Sequence, residues 1–186
     1  MSVNIPKLLI VGKLRAGKSE VANHLRFAHG FEEIAFGSML KYHADRIFPH
    51  SGNGKPRALY QQFGELCRKI DPLVWVKHAE FSLNMALDSR ATVGVVISDG
   101  RQPHEIEWAR ANGFKIMRVS APDELRLARA KAAGDNFTEA DLTHSTEQHV
   151  SSFEVDYEIV NDGSLAELEA KVDEILAQIK EGGQLS

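Results

Sequence analysis

Three features of the sequence predict an α/β fold built on a central parallel sheet. The apolar run Leu8-Leu9-Ile10-Val11 enters Gly12-Lys13-Leu14-Arg15-Ala16-Gly17-Lys18-Ser19, which is G-x-x-x-x-G-K-[ST] in a strand, turn and helix setting. Strand-length apolar runs then alternate with helix-length stretches, the pattern of parallel strands joined by crossover helices. The third feature is Thr92 to Ser98, a run rich in β-branched residues that suits a strand buried on both faces.

The glycine-bounded turn carries the most chemical information. Gly12 and Gly17 let the backbone turn tightly, so that successive N–H groups point inward at phosphate oxygens. The helix that begins near Lys18 adds its positive dipole end at the same place. In such a loop Lys18 reaches the β- and γ-phosphates, the Ser19 hydroxyl ligates Mg²⁺, and Gly12, Lys13, Ala16, Gly17 and Glu20 belong to the nucleotide-binding stretch. The expected architecture is the three-layer fold of P-loop NTPases.

The elements follow in order. A first helix runs from the loop to Phe27 with Val21, Ala22 and Leu25 on one face and Gly30 as its stop. Phe31–Phe36 reads as a second strand, broken by Gly37-Ser38, and Met39 opens a helix that ends near Phe48-Pro49. Ser51–Pro56 is rich in turn formers. Helices are expected over Arg57–Ile70 and Pro72–Asp88, with Pro72 at a helix start. After the strand at Thr92–Ser98 come a helix over Pro103–Asn112, a strand over Phe114–Val119 and a helix over Pro122–Ala133. Gly134–Thr143 reads as a loop and His144–Ser151 as a helical stretch. Tyr157–Val160 is the last strand. Ser164 and Glu167 form a capping box for a final amphipathic helix. One domain is expected over residues 1–186, with its core at 1–38, 89–121 and 152–186. A helical insertion covers about 39–88 and a short lid about 122–151; the insertion is placed over the sheet's carboxyl edge, where ligands bind in such folds.

Composition narrows the function classes. The chain has 186 residues, 43% apolar and 26% charged, with a formal charge of −4. That acidic balance argues against a nucleic-acid surface, and no apolar stretch approaches a membrane span. A single cysteine, Cys67, forms no internal disulfide, and it reads as core packing. A cytoplasmic setting is expected, the host's if the chain is phage-encoded. The eight histidines show no spacing suited to a metal cage.

Beyond the loop, Asp99 closes the strand Val95-Val96-Ile97-Ser98 as a Walker B acid does, where it orients Mg²⁺ or its waters; a turn former or a helix cap is the alternative. Arg101 projects from the same edge. Here the chain resembles a known family. Asp99-Gly100-Arg101 is a compressed form of the Asp-Gly-Phe-Pro-Arg segment of adenylate-type nucleoside monophosphate kinases. Asp99 to Glu105 is more similar to the Asp-x-Arg-Phe-Pro-Asn-Glu segment of deoxynucleoside monophosphate kinases of bacteriophages and related bacterial proteins. Ala35–Lys41, Tyr60–Arg68 with Trp75-Val76, and Asp156–Leu165 resemble the same family in the same order. Gln102 and His104 depart from it, replacing the aromatic and the asparagine.

The resemblance implies that Arg68 and Arg101, with Lys41 as a further candidate, hold an acceptor monophosphate. It implies that Gln62 and Trp75 contact the acceptor base or wall its pocket, with a solvated helix residue and a core aromatic as the alternatives. Asp99 belongs to the same acceptor side. Arg126 and Arg129, three apart on one helix, match lid arginines that close over donor phosphates, or else form a solvated face. Asn161 to Ser164, Gly163 included, matches the loop near the donor adenine. The function implied is transfer of the γ-phosphoryl of ATP, with Mg²⁺, to a (deoxy)nucleoside monophosphate. Lys18, Arg101, Arg126 and Arg129 are the catalytic candidates, and a homodimer is left open. A small-molecule kinase of the same fold and a nucleotide-dependent switch or ATPase are the alternatives. The GTPase pattern Asn-Lys-x-Asp is absent, which favours ATP as donor.

Overall fold

The computed structural model describes residues 5–49, 56–134 and 150–182, apart from the side chain of Arg57. Five strands form one sheet: β1 (Lys7–Val11), β2 (Glu32–Ile34), β3 (Val95–Ile97), β4 (Lys115–Ser120) and β5 (Tyr157–Val160). Their order is β2-β3-β1-β4-β5 and every pairing is parallel. The most apolar run of the sequence thus becomes the central strand. Leu9 stands opposite Ile97 on one side and Ile116 on the other.

Because side chains alternate along a strand, β1 feeds two cores. Leu8 and Ile10 pack with Val96, Met117, Val119 and Ile159 under α1 (Lys18–His29) and α7 (Leu165–Gly182). Leu9 and Val11 face the opposite way, into a core shared with α4 (Val74–Asp88) and α5 (Pro103–Ala111). Helices on both faces of a parallel sheet give the expected three layers. The helix α6 (Asp123–Ala132) follows β4. The 39–88 stretch contains most of α2 (Phe36–Ile47), then α3 (Arg57–Ile70) and α4. Trp75, Val76, Ala79, Leu83 and Ala86 of α4 are buried in the same core as β1 and β3, so this part of the insertion packs on the sheet itself.

Several boundaries differ from the sequence expectation. Gly37-Ser38 does not break the chain before α2; both lie in its first turn. The cap is supplied from far away, since Asp99 Oδ1 accepts the N–H of Phe36 at 2.9 Å and Oδ2 that of Gly37 at 2.9 Å. β3 has three residues rather than seven because its partner β2 is equally short, and Ser89–Thr92 forms a turn instead. α4 starts at Val74, not Pro72, because Asp71 accepts the N–H of Leu73 through its side chain and that of Val74 through its carbonyl. The capping box of α7 is present: Glu167 Oε2 accepts the Ser164 N–H at 2.7 Å, and Ser164 Oγ accepts the Glu167 N–H at 3.3 Å. The Ser51–Lys55 part of the expected loop, the loop after Gly134 and nearly all of the helical stretch expected at His144–Ser151 lie outside the described residues.

Leu83 is 2% exposed in the core that joins the insertion to the sheet. Leu83→Ala should cost about 2–5 kcal/mol of unfolding free energy in urea melts. If the core is one unit, unfolding followed by circular dichroism and by tryptophan fluorescence should still coincide.

Candidate active site

The loop after β1 is shaped by contacts on its outer side. Gly12 has φ 155°, and a Cβ there would lie 2.2 Å from the Val119 carbonyl oxygen of β4. Gly17, the cap of α1, has φ 109°, and a Cβ there would lie 2.2 Å from Asn161 Nδ2. Only glycine fits either position. Between them Arg15 takes a left-handed conformation with φ 61°. Lys18 folds back over the turn, its Nζ donating to the carbonyls of Gly12 at 2.6 Å and Lys13 at 3.0 Å. Ser19 follows on the first turn of α1 with its side chain exposed.

Two arginines and an asparagine brace this loop. Asn161 is buried at the end of β5 and its Nδ2 donates to the Ala16 carbonyl at 2.9 Å. Arg126 is buried on α6; its Nε donates to the Leu14 carbonyl at 2.8 Å and its Nη1 pairs with Asp123 at 2.6 Å. One turn on, Arg129 Nη2 donates to the carbonyl and the side-chain oxygen of Asn161, both at 3.3 Å. Its Nη1 is buried with no hydrogen-bond partner among the described residues. A cavity of about 240 Å³ opens beside the loop, lined by Gly12, Lys13, Ser120, Ala121 and Arg126 among others.

A second group of charges gathers at the end of β3. Burial pushes the Asp99 carboxyl above its ordinary range, against the pull of the Gly37 and Phe36 amides and of the Lys41 and Arg101 charges. Glu105, in the first turn of α5, is 7% exposed, and its Oε2 accepts the N–H of Arg101 at 2.7 Å and of Gln102 at 2.9 Å. Burial raises Glu105 to about 7 in spite of those two bonds, and the nearby Asp99 charge adds to the rise while Arg68 opposes it. His104 is held below the ordinary histidine value by burial and then by the Arg68 charge. Lys41, Arg68, Asp99, Arg101, His104 and Glu105 therefore sense one another in one neighbourhood.

Residues 55–172 match the family model of deoxynucleotide monophosphate kinase. The chain belongs to the deoxynucleotide monophosphate kinase family. A relative, the deoxynucleotide monophosphate kinase of Escherichia phage RB69, is 34% identical over 123 residues, 64% of this chain and 44% of that protein. The chain thus matches less than half the length of this relative. Among solved structures, TT1252 from Thermus thermophilus is 22% identical with a TM-score of 0.64, over 95% of this chain and 98% of that one. A gluconokinase from Sinorhizobium meliloti 1021 is 16% identical with a TM-score of 0.62, over 97% and 96%. Shikimate kinase from Acinetobacter baumannii is 19% identical with a TM-score of 0.55, over 94% of each chain. These likenesses establish the fold. The deoxynucleotide monophosphate kinase match begins after the phosphate loop, so Gly12–Ser19 is an observation independent of it.

Of the residues expected at the site, Gly12, Lys13, Ala16, Gly17 and Lys18 form one loop with Ser19 beside it, and Arg126, Arg129 and Asn161 lie against that loop. Gly163 sits beside the capping carboxylate of Glu167, where a Cβ would approach Oε2 to 2.2 Å. Glu20 is not drawn to the loop; it lines a surface groove with Asn23, His24 and Phe27 of α1 and Glu169 of α7. Trp75 is 6% exposed, stacked on His78 at 6.0 Å with Nε1 directed at the Gly64 carbonyl. Gln62 is exposed on α3. Half of the expected lid, residues 135–149, lies outside the described residues. Sequence reasoning assigned no role to Glu105, although Pro103 at a helix start followed by a glutamate at the third helical position was a legible capping signal.

Glu105 is raised on folding, so the unfolded chain ionises first. Its contribution to stability is complete below about pH 4.5 and lost progressively towards pH 7. Glu105→Gln keeps an acceptor for the two amides and cannot ionise. Its melting temperature relative to the parent should therefore climb between those two pH values and level off above them. Asn161→Ala removes the donor to the Ala16 carbonyl and the side-chain acceptor of Arg129, leaving Arg129 only the backbone carbonyl at 161, and should cost about 1–3 kcal/mol in denaturant melts.

Proposed function

We propose that the protein is an ATP-dependent (deoxy)nucleoside monophosphate kinase. An oxygen of the acceptor phosphate attacks the γ-phosphorus of ATP, the bond from that phosphorus to the β-bridging oxygen breaks, and ADP and a nucleoside diphosphate leave. The attacking oxygen is already ionised, so no general base is needed. What carries this reading is the pairing of a phosphate loop with a separate cationic group, Lys41, Arg68 and Arg101, gathered around Asp99 and Glu105.

Catalysis then rests on positioning and charge. The loop amides and Lys18 would hold the donor phosphates, Lys18 leaving the Gly12 and Lys13 carbonyls for them. Arg68 and Arg101 would fork onto the acceptor phosphate, with Lys41 beside them. Arg101 with Arg126 or Arg129 would stabilise charge on the phosphoryl in flight. Gln62 and Trp75 are proposed to bound the acceptor's base, and Asn161 with Gly163 to lie near the donor's adenine.

Oxygen ligands of the kind Mg²⁺ takes are at hand: the exposed Ser19 hydroxyl, and Asp99, whose oxygens each accept one amide N–H and keep a lone pair. We propose that Ser19 and, through waters, Asp99 hold it. When bound, Mg²⁺ would neutralise charge on the β- and γ-oxygens. A kinase for hydroxyl acceptors needs a carboxylate base, whereas a phosphate acceptor needs the cations that Lys41, Arg68 and Arg101 supply here, which favours the phosphate acceptor. We place this chemistry in the cytoplasm, the host's if the chain is phage-encoded, with no nucleic-acid or membrane partner.

ATP turnover with Mg²⁺, assayed against each ribo- and deoxynucleoside monophosphate with the diphosphate product identified, should depend on one or a few acceptors. Acceptor-independent loss of ATP alone would sink the proposal. Lys18→Ala should lower turnover by at least about a hundredfold while the circular dichroism spectrum is kept.

A further inference from the structure

Away from the phosphate loop, α1 and α7 bring together a second set of ligating side chains. His24 Nε2 lies 2.7 Å and His29 Nε2 2.6 Å from one and the same oxygen, Asp173 Oδ1. One ligand atom from each of the three residues falls within 4.8 Å of the others. The two imidazoles meet edge to face with their centroids 5.2 Å apart. On the other side of His24, Glu169 Oε1 stands 3.7 Å from Nδ1.

The proton count of this group is informative. A neutral imidazole has one N–H and one lone pair. His24 has a carboxylate oxygen against each ring nitrogen, so either neutral tautomer turns a lone pair towards a carboxylate. His29 adds a further nitrogen at the oxygen that His24 already uses. With the His24 proton on Nδ1, facing Glu169, the Nε2 lone pair and the Asp173 oxygen converge with His29 Nε2 on one point, where a cation fits. A metal ion there would leave Nδ1–H of His24 facing Glu169, the carboxylate–histidine–metal relay by which bound imidazoles are oriented.

The donor set, two imidazole nitrogens and one carboxylate oxygen, is that of zinc rather than of magnesium, which prefers oxygen alone. Tetrahedral coordination at roughly 2.0–2.1 Å spaces ligand atoms about 3.3 Å apart. The present 2.6–2.7 Å contacts need to open by well under an ångström, and the Asp173 side chain, 50% exposed, has room to give. His29 closes α1, and its side chain is half-buried, 24% exposed. A water can take the fourth position. His24 sits six residues beyond Lys18, roughly 9 Å along α1, well clear of the loop's phosphate side.

We propose that His24, His29 and Asp173, oriented by Glu169, form a zinc site that clips the helix following the phosphate loop to the last helix of the fold. This site is separate from the Mg²⁺ of the kinase reaction, and it acts on stability rather than turnover.

The test uses the whole chain, stripped with a chelator and exchanged into Mg²⁺-free buffer. Because the chain has eight histidines, only binding that depends on these residues counts. Zinc titrated calorimetrically should bind at one ion per chain and raise the melting temperature, and chelator should reverse the rise. Cobalt in its place should give the visible absorption of a four-coordinate ion. Asp173→Asn at an exposed position and His29→Gln at a half-buried one, each checked for native circular dichroism, should abolish the cobalt spectrum and the melting shift. Glu169→Gln should weaken zinc about ten- to a hundredfold without abolishing it. Equal zinc responses in the parent and in both folded variants would overturn the proposal. So would a parent whose stability rises on acidification through the histidine range yet ignores zinc, since the group would then be a protonated hydrogen-bond network.

Discussion

The turn after β1 is held chiefly from outside, through its carbonyls and its outer surface, and much of the molecule answers to that constraint. One loop amide closes the turn on itself, Ala16 N–H donating to the Lys13 carbonyl at 3.2 Å. Asn161 holds the Ala16 carbonyl, Arg126 holds the Leu14 carbonyl, and the backbone of Gly12 lies against that of Val119. All three braces come from β4, α6 and the end of β5. That half of the sheet lies on one side of β1, and its order makes the bracing possible. Arg129 completes the arrangement by gripping Asn161, so one asparagine links the loop to α6.

The other half of the sheet does different work. Lys41 on α2, Arg68 on α3 and Arg101 after β3 make up the cationic group, and the carboxylates of Asp99 and Glu105 organise it. Asp99 fastens the start of α2, and Glu105 folds the Arg101–Gln102 backbone over the start of α5. Each acid is desolvated enough for its ionisation to be disfavoured, and each lies near cations that oppose this. Side chains expected to meet an anionic ligand are therefore set around acids whose own charge is kept low and directed into the backbone. β1 stands between the two halves, and its alternating side chains join both helical layers to the same strand.

The phosphate loop, the order of elements and the parallel sheet were legible because each rests on local pattern: an apolar run, two glycines at fixed spacing, alternation of strand and helix. The Tyr157–Val160 strand and the capping box at Ser164 were legible for the same reason. What was hidden depends on residues distant in sequence. Gly37-Ser38 looks like a breaker until Asp99 supplies the cap from 62 residues away. Arg126 and Arg129 were legible as a pair on one face, but their attachment to Leu14 and Asn161 is a tertiary fact. The same holds for His24 and His29, whose five-residue spacing is unpromising on one helix; Asp173 of α7 is what makes them converge. Glu20 lies on the α1 face that carries Asn23 and Phe27, a placement set by the turn of the helix.

The pinning of α2 by Asp99 has a mechanical side. Two adjacent amides bound to the two oxygens of one carboxylate fix the position of a helix end, while its direction is set by packing, Met39 and Leu40 against the core and Ala44 fully buried. α2 ends at Ile47, so its far end lies about 15 Å from the pin at Gly37. A tilt of about 20° would carry that end through about 5 Å while Gly37 stays in place. Lys41, little more than a turn from the pin, would travel only a small part of that arc. Were the packing to yield, the hinge would be Asp99: reach would change at the far edge, and the cation nearest the hinge would keep its station.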